Sequence, residues 1–231
     1  GWPERARTAI RHLNSLRVGL IGYGFVGKTF HAPLILATSG LDLVVVASSR
    51  AEHVHSDLPE IEVSDADALL THPDLDLVVI ASPNETHFPL ARRALLAGKH
   101  VVVDKPFTLE LAEAEELIAL SAGRVLSVFH NRRWDSDFLA VRAAVAQGLI
   151  GRVVHFESHF DRYRPEVRDR WRERLGPGSG VWFDLGPHLI DQAVQLLGPP
   201  LGVQTTLACH RQGGQTDDWA HCLLHYAGCQ A

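Results

Sequence analysis

The sequence predicts an α/β protein. A doubly wound parallel sheet fills the N-terminal half, and an α+β domain with a mixed, largely antiparallel sheet follows. Three observations carry this. Short apolar runs alternate with helical stretches from Leu16 to about His130. The early runs are near-continuously apolar, as strands buried on both faces must be. Beyond residue 130 the texture changes, and residues 153–160 alternate apolar and polar positions, the pattern of a half-exposed strand.

In order, residues 16–21 read as the first strand, followed by a glycine-rich turn and a helical segment over 25–38. Residues 41–48 form a second strand and 61–63 a short third; between them His53 and His55 fall in a polar loop. Ser64 opens Ser-Asp-Ala-Asp, a capped start for a helix through residue 70. Residues 75–81 form the fourth strand, and a helix over 86–97 closes at Gly98. Residues 100–104 form the fifth strand, 109–122 an acidic amphipathic helix, and 125–130 the sixth strand. Such alternation implies right-handed βαβ crossovers and a parallel sheet covered on both faces.

Later come a helix over 134–147, the strand over 153–160 and a charged loop over 162–174. Gly176-Pro177-Gly178-Ser179-Gly180 then precedes a helix to Leu197, and residues 203–210 and 218–226 read as two further strands. The organisation expected is an extension over 1–15, a first domain over 16–130 and a second over 131–231. There is no methionine, and the sequence stops immediately after a predicted strand, so the second domain is read as partial.

Composition narrows the partners. With 46% hydrophobic and 21% charged residues, the chain has the make-up of a soluble globular protein. A formal charge of −5 offers no attraction to nucleic acid or an anionic membrane surface. No apolar run approaches the roughly 20 residues that span a bilayer. The start of the sequence lacks an apolar signal core, so a cytoplasmic location is expected. Cys209, Cys222 and Cys229 form no C-x-x-C pair and are expected as reduced, partly buried thiols. The 14 histidines are scattered singly, so no metal site is expected.

Gly22-Tyr23-Gly24-Phe25-Val26-Gly27 is a complete G-x-G-x-x-G, placed after a predicted strand and opening a helix. That setting is the dinucleotide-binding fingerprint of a Rossmann domain. Gly22 permits the tight turn, Gly24 lets the backbone approach a pyrophosphate, and Gly27 lets helix and strand pack closely. Helix N–H groups then face the anion. A site for NAD places a carboxylate at the end of the second strand, on the ribose 2′-OH. Counting selects Asp42, but Asp42 precedes the strand at the wrong end of the sheet. The correct end reads Ser48-Ser49-Arg50, hydroxyls and a guanidinium that suit a 2′-phosphate, so NADP is expected rather than NAD.

Further segments carry a family resemblance. Ser82-Pro83-Asn84-Glu85-Thr86-His87 follows the fourth strand, Asp104-Lys105-Pro106 ends the fifth, and Gly178-Ser179-Gly180 leads through Asp184 to His188 on the late helix. Together with the glycine fingerprint, this ordered set resembles the Gfo/Idh/MocA oxidoreductases. Residues 128–135 and 156–161 look closest to the bacterial NADP-dependent scyllo-inositol dehydrogenase branch. The resemblance runs from Arg17 onward. It implies a Rossmann domain followed by an α/β domain, and hydride transfer between NADP and the CH–OH group of a cyclic polyol or sugar. It also implies association of copies through the second-domain sheet. The family usually reads Glu-Lys-Pro, and here the acid is Asp104, one methylene shorter.

Oxidising a secondary alcohol needs a base for the hydroxyl proton while hydride leaves the carbon. Asp184 and His188, spaced i, i+4, share one helix face. An imidazole accepts protons near neutral pH, and a neighbouring carboxylate orients it or holds a substrate hydroxyl. Lys105 stands at the carboxyl edge of the sheet, where its ammonium can donate to the reacting oxygen. In isolation a lysine before proline reads as a solvated loop end, and an Asp/His pair as a surface pair. The resemblance assigns Lys105, Asp184 and His188 as the catalytic set and implies a cis bond before Pro106, aiming the lysine. Pro83, Asn84, Thr86, His87 and Asp104 are expected to border the cofactor with Lys105; helix capping is the competing role for Asn84 and Thr86.

His130, Asn131 and Arg132 follow the sixth strand, where contact with nicotinamide or substrate competes with a hinge role. Asn131, Arg132 and Trp171 are the substrate-contact candidates. Arg168, Arg170, Trp171 and Arg172 form a basic, aromatic stretch that reads equally as a cover closing over a polar substrate or as a charged surface loop. Trp134 and Trp182 are assigned to packing. The resemblance leaves two other readings open: glycoside cleavage by transient oxidation with a retained NAD, against which Ser48-Ser49-Arg50 argues, and a non-enzymatic NADP sensor, which would not need the lysine, aspartate and histidine.

Overall fold

Val18, Leu20, Val45, Val46, Val78, Ile80, Val101 and Val103 are completely buried, and they build the sheet of the first unit. The computed structural model describes residues 15–231, so all but the last residue of the expected N-terminal extension lies outside the described residues. The chain divides into two units, one ending at Phe129 and the other running from His130 to Ala231.

In the first unit, β1 (Leu16–Ile21), β2 (Leu41–Ala47), β3 (Glu62–Ser64), β4 (Leu77–Ile80), β5 (His100–Asp104) and β6 (Leu126–Phe129) form one parallel sheet. Their order is β3-β2-β1-β4-β5-β6, so the winding direction reverses between β1 and β4. Successive strand residues alternate faces. Val78 and Ile80 join a core with Leu69, Leu70, Ala91, Leu95 and Leu117; Leu77 and Val79 join another with Ala32, Ile35 and Val54. Helices α1 (Ala32–Ala37) and α2 (Ala51–His55) thus cover one face. Helices α3 (Ala66–Thr71), α4 (His87–Leu96) and α5 (Leu111–Leu120) cover the other. Burying each such aliphatic side chain contributes ~1.5–3 kcal/mol, so these faces dominate the unit's stability.

Several local expectations change. Helix α2 occupies what reads as a polar loop, and it places His53 against Tyr23 edge to face, 6.0 Å between ring centroids. Ser64 closes β3, and Asp65 caps α3 instead, its carboxylate accepting the Ala68 N–H at 2.7 Å. Asp42 lies inside β2, paired in register with Arg17, at the N-terminal end of the sheet.

The second unit opens with a 3-10 turn (Asn131–Trp134) and helix α6 (Ser136–Ala146). A second 3-10 turn (Trp171–Glu173) precedes the long α7 (Gly180–Leu197). Strands β7 (Gly202–Ala208), β8 (Trp219–Tyr226) and β9 (Cys229–Gln230) form an antiparallel sheet in that order. Phe138, Leu185, Ala193 and Leu224 are its buried centre.

Residues 153–160 do not form the expected strand. Their neighbour β9 is two residues long and offers a single bridge, His155 to Gln230, with Phe156 N–H donating to Gln230 O at 3.0 Å. An alternating pattern makes a ladder only where a partner strand runs beside it. Two packing expectations fail as well: Trp134 is 70% exposed, and Cys209 is exposed rather than partly buried.

Candidate functional site

At the carboxyl edge of the first sheet the backbone folds back on itself after β1. Gly22 sits at φ +98° and donates its N–H to Ala47 O at 3.0 Å. A Cβ on Gly22 would lie 2.5 Å from Ala81 O, and one on Gly27 would lie 2.1 Å from Gly22 O. Only glycine fits either place. Gly24 is different, because a Cβ there meets nothing within 4 Å. The turn is therefore closed on its inner side and open at its middle residue, and the helix begins directly after it, with Lys28 N–H donating to Gly24 O at 2.9 Å. This shape and the free N–H groups beside it fit a pyrophosphate.

The neighbours of the turn divide the work. Tyr23 is buried; its hydroxyl donates to Asp57 at 3.3 Å, and burial followed by that carboxylate pushes its pKa up. Lys28 reaches the same Asp57 at 2.6 Å and, as hydrogen-bond donor, holds that carboxyl below its ordinary range. Phe25 is exposed and Val26 half-buried at the mouth of the turn. Ser48, Ser49 and Arg50 follow the end of β2; Ser48 Oγ accepts Arg50 N–H at 3.2 Å, and the Arg50 side chain is exposed, with no ion pair among the described residues.

After β4, Thr86 donates to Pro83 O at 2.6 Å and meets Ser82 Oγ at 2.5 Å, so its hydroxyl braces the loop rather than capping α4. Asn84 is buried. His87, 1% exposed, places one ring nitrogen 2.7 Å from Pro106 O and the other 3.0 Å from Ser82 O. A neutral imidazole carries one N–H and donates to one carbonyl at a time. His87 thus ties the loop after β4 to the loop after β5 and stands behind the edge rather than on it.

Asp104 ends β5, buried, with its carboxylate accepting the Lys105 N–H at 2.7 Å. The Lys105–Pro106 bond is cis, as the resemblance implies. His31, which sequence reasoning missed, is buried with Nε2 3.7 Å from Asp104 and its ring centroid 4.2 Å from that of Phe129. Lys28 was missed too. A basic residue in the first helical turn after the glycines is a signal that could have found it.

In the second unit, α7 carries Asp184 and His188 one turn apart. Its N-terminus is held by Asp217, whose carboxylate accepts Trp182 N–H at 2.6 Å and whose carbonyl accepts Val181 N–H at 2.9 Å. A Cβ on Gly180 would overlap that carboxylate at 1.9 Å, so the glycine makes the cap accessible. Asp184 lies 3.4 Å from Arg172 Nε. His188 is buried, edge-on to Phe160 with centroids 6.5 Å apart. Further along, buried Asp191 grips Arg133 at 2.7 and 2.5 Å and Gln192 donates to Arg132 O at 3.3 Å. These contacts anchor the turn bearing Asn131 and Arg132. The Arg132 guanidinium lies 5.1 Å from the Phe160 ring centroid and donates to Asp135 at 2.8 Å.

A cavity of about 310 Å³ lies beside the start of α7. Asp184, Arg170 and Arg172 line it; His188, Asn131, Arg132 and Trp171 are not on its wall. Trp171 is 40% exposed and stacks under Arg172, 4.7 Å from guanidinium to ring centroid. Among the described residues no group of three or more His, Cys, Asp or Glu could hold a metal ion, and no helix is long and apolar enough to cross a membrane.

Comparison with known proteins agrees with this geometry. Residues 16–130 match the oxidoreductase family with NAD-binding Rossmann fold, and residues 138–231 match the Gfo/Idh/MocA C-terminal domain. The uncharacterized oxidoreductase YdgJ of Escherichia coli is 58% identical, over 92% of this chain and 62% of its own length. The scyllo-inositol 2-dehydrogenase (NADP(+)) IolW of Bacillus subtilis is 37% identical, over 96% of this chain and 63% of its own. The crystal structure of an oxidoreductase from Klebsiella pneumoniae superposes with a TM-score of 0.86 at 58% identity, covering 94% of this chain and 60% of that one. The chain therefore spans about three fifths of the relatives it matches. With the glycine turn, the 3-2-1-4-5-6 sheet and both matched halves in chain order, the chain belongs to the Gfo/Idh/MocA oxidoreductase family.

Proposed function

We propose that the protein transfers hydride between NADP and the CH–OH group of a cyclic polyol or sugar. In this reading the first unit holds the nucleotide, and the second, a partial substrate domain, holds the alcohol. The observation that carries it is the glycine turn, closed at Gly22 and Gly27 and open at Gly24, on the same sheet edge as Lys105. Ser48, Ser49 and Arg50 would hold the 2′-phosphate, since the guanidinium fork matches it and the three residues that directly follow β2 carry no carboxylate. The NADP-dependent inositol dehydrogenase among the relatives supports that choice of cofactor and substrate class.

When bound, the nicotinamide supplies the hydride acceptor or donor. His188 takes the hydroxyl proton, Asp184 holds a substrate hydroxyl from the same helix face, and Lys105 donates to the reacting oxygen as charge develops on it. Asp104, its carboxylate on the Lys105 N–H, keeps the lysine backbone in place, and Asn131, Arg132 and Trp171 contact the substrate's remaining hydroxyls. A cytoplasmic location is supported by three free cysteines. Self-association through the second-unit sheet is supported by its exposed apolar residues Val203 and Leu207, which share one face of β7.

The test is NADP⁺ reduction at 340 nm with scyllo-inositol, myo-inositol and glucose, beside Lys105→Ala and His188→Ala. Polyol-dependent NADPH formation that both substitutions abolish is the expected result. Net hydrolysis of a glycoside without NADPH accumulation, or tight NADP binding with no turnover across the panel, would replace it with the hydrolase or the sensor reading.

A further inference from the structure

The cavity beside α7 has an unbalanced wall. Five guanidinium groups line it, those of Arg162, Arg164, Arg170, Arg172 and Arg211. Three of them are engaged. Arg170 and Arg211 clasp the buried Glu173 at 2.9 and 2.7 Å, Arg211 also takes Asp218 at 2.9 Å, and Arg172 stands 3.4 Å from Asp184. Asp217, the remaining acid on the wall, is spent on the start of α7, where it caps Trp182 N–H. Arg162, which is exposed, and Arg164, which is half-buried, form no ion pair among the described residues.

Cations drawn toward a protein wall without partners are costly, because neighbouring like charges add to lost hydration. That cost is visible at Arg164. Burial first, then the charges of Arg162, Arg170 and Arg168, hold its guanidinium below the ordinary value, and only the charge of Asp184 acts the other way. An anion between Arg162 and Arg164 would relieve it, and the planar fork of arginine matches carboxylate and phosphate oxygens two at a time. At about 310 Å³ the space has the size of a small-ligand pocket, and Asp184 also lines it.

We infer that the substrate carries an anionic group, a carboxylate or phosphate on the carbohydrate, seated on Arg162 and Arg164 while its hydroxyls face Asp184. This rests on the dehydrogenase reading, since Asp184, which holds a substrate hydroxyl in that reading, is its member on this wall.

The experiment compares D-glucuronate and D-glucose 6-phosphate with D-glucose in the full-length protein, at low salt. Affinity is measured by calorimetry and kcat/KM by NADP⁺ reduction, for the wild type and the Arg162→Gln/Arg164→Gln variant. One of the anionic sugars is expected to be preferred over glucose by roughly tenfold or more, as for a charge-assisted hydrogen bond. The better anion distinguishes carboxylate from phosphate, and the preference should fall toward unity in the double variant. Arg162→Lys/Arg164→Lys, keeping the charge, should keep part of it and stands in if the glutamine variant does not fold. Equal affinity and turnover for anionic and neutral sugars overturn the inference and leave the dehydrogenase reading standing. Anion binding that the variant loses, without turnover of any sugar, keeps the anion site and rejects the dehydrogenase. Neither binding nor turnover rejects both.

Discussion

The carboxylate of Asp104 accepts the main-chain N–H of Lys105 at 2.7 Å, so the acid at the end of β5 holds the backbone of the residue that follows it. Its other oxygen lies 3.7 Å from His31 Nε2, on the helical turn that follows the glycine fingerprint. Asp104→Ala removes a largely buried acceptor and leaves that N–H unanswered. A loss of ~1.5–3 kcal/mol is expected for a hydrogen bond to a charged group, read as a lower thermal midpoint. If Asp104 positions Lys105, kcat should fall more than KM rises, and Asp104→Glu should restore part of kcat. An unchanged kcat in the alanine variant would make Asp104 a fold residue only.

Gly24 and Gly27 should separate nucleotide binding from folding. A Cβ on Gly27 lies 2.1 Å from a backbone oxygen, whereas one on Gly24 meets nothing. Gly27→Ala should therefore lower the thermal midpoint sharply or prevent folding. Gly24→Val should keep the midpoint of the wild type yet lose NADP affinity by at least roughly tenfold, as the side chain fills the approach to the pyrophosphate. A fluorescence titration with NADPH reads the second effect. Normal affinity in Gly24→Val would mean the dinucleotide does not use this turn.

The parts legible in the sequence are those with a local cause. Buried parallel strands announce themselves as apolar runs, and the glycines at 22 and 27 announce a turn whose steric need the structure bears out. Helix α7 ends at Leu197, as its pattern and the following Gly198 imply. What was hidden depends on residues far apart in the chain. His31 meets Asp104, and Arg211 meets Glu173, across gaps that no periodicity spans. Residues 153–160 mislead because alternation records which side faces the core, not whether a partner strand is present. That His87 ties the loops after β4 and β5 together was likewise hidden, because a histidine after a strand has the same one-letter signature whether or not it bridges two loops.

Arg50 should set the choice of nucleotide. It is exposed at the carboxyl end of β2 and makes no ion pair among the described residues, so its removal costs the fold little. Arg50→Ala is expected to weaken NADP about ten- to a hundredfold while leaving NAD within about twofold, the range of one charge-assisted phosphate contact. Paired Kd values for the two nucleotides decide it. An NADP affinity that survives the substitution would shift 2′-phosphate recognition away from this residue.

Glu173 and Asp218 should make the second unit sensitive to acid. Burial alone would raise the Glu173 pKa, but hydrogen bonds from Arg211 and Arg170 outweigh it, and the group sits below its ordinary range. Asp218 behaves alike: burial raises it, and the N–H groups of His210 and Arg211 with the Arg211 side chain bring it down. A carboxylate whose pKa is lower folded than unfolded stabilises fully above its unfolded value, about 4. That contribution drains away as pH falls through the lower folded value. Urea unfolding followed by tryptophan fluorescence should therefore show stability level above about pH 5 and declining below about pH 4. Glu173→Gln should be less stable at neutral pH, because it leaves Arg170 and Arg211 facing a neutral amide, yet lose less on acidification than the wild type. An equal acid slope in both proteins would mean that Glu173 is not what holds the arginines of this wall in place.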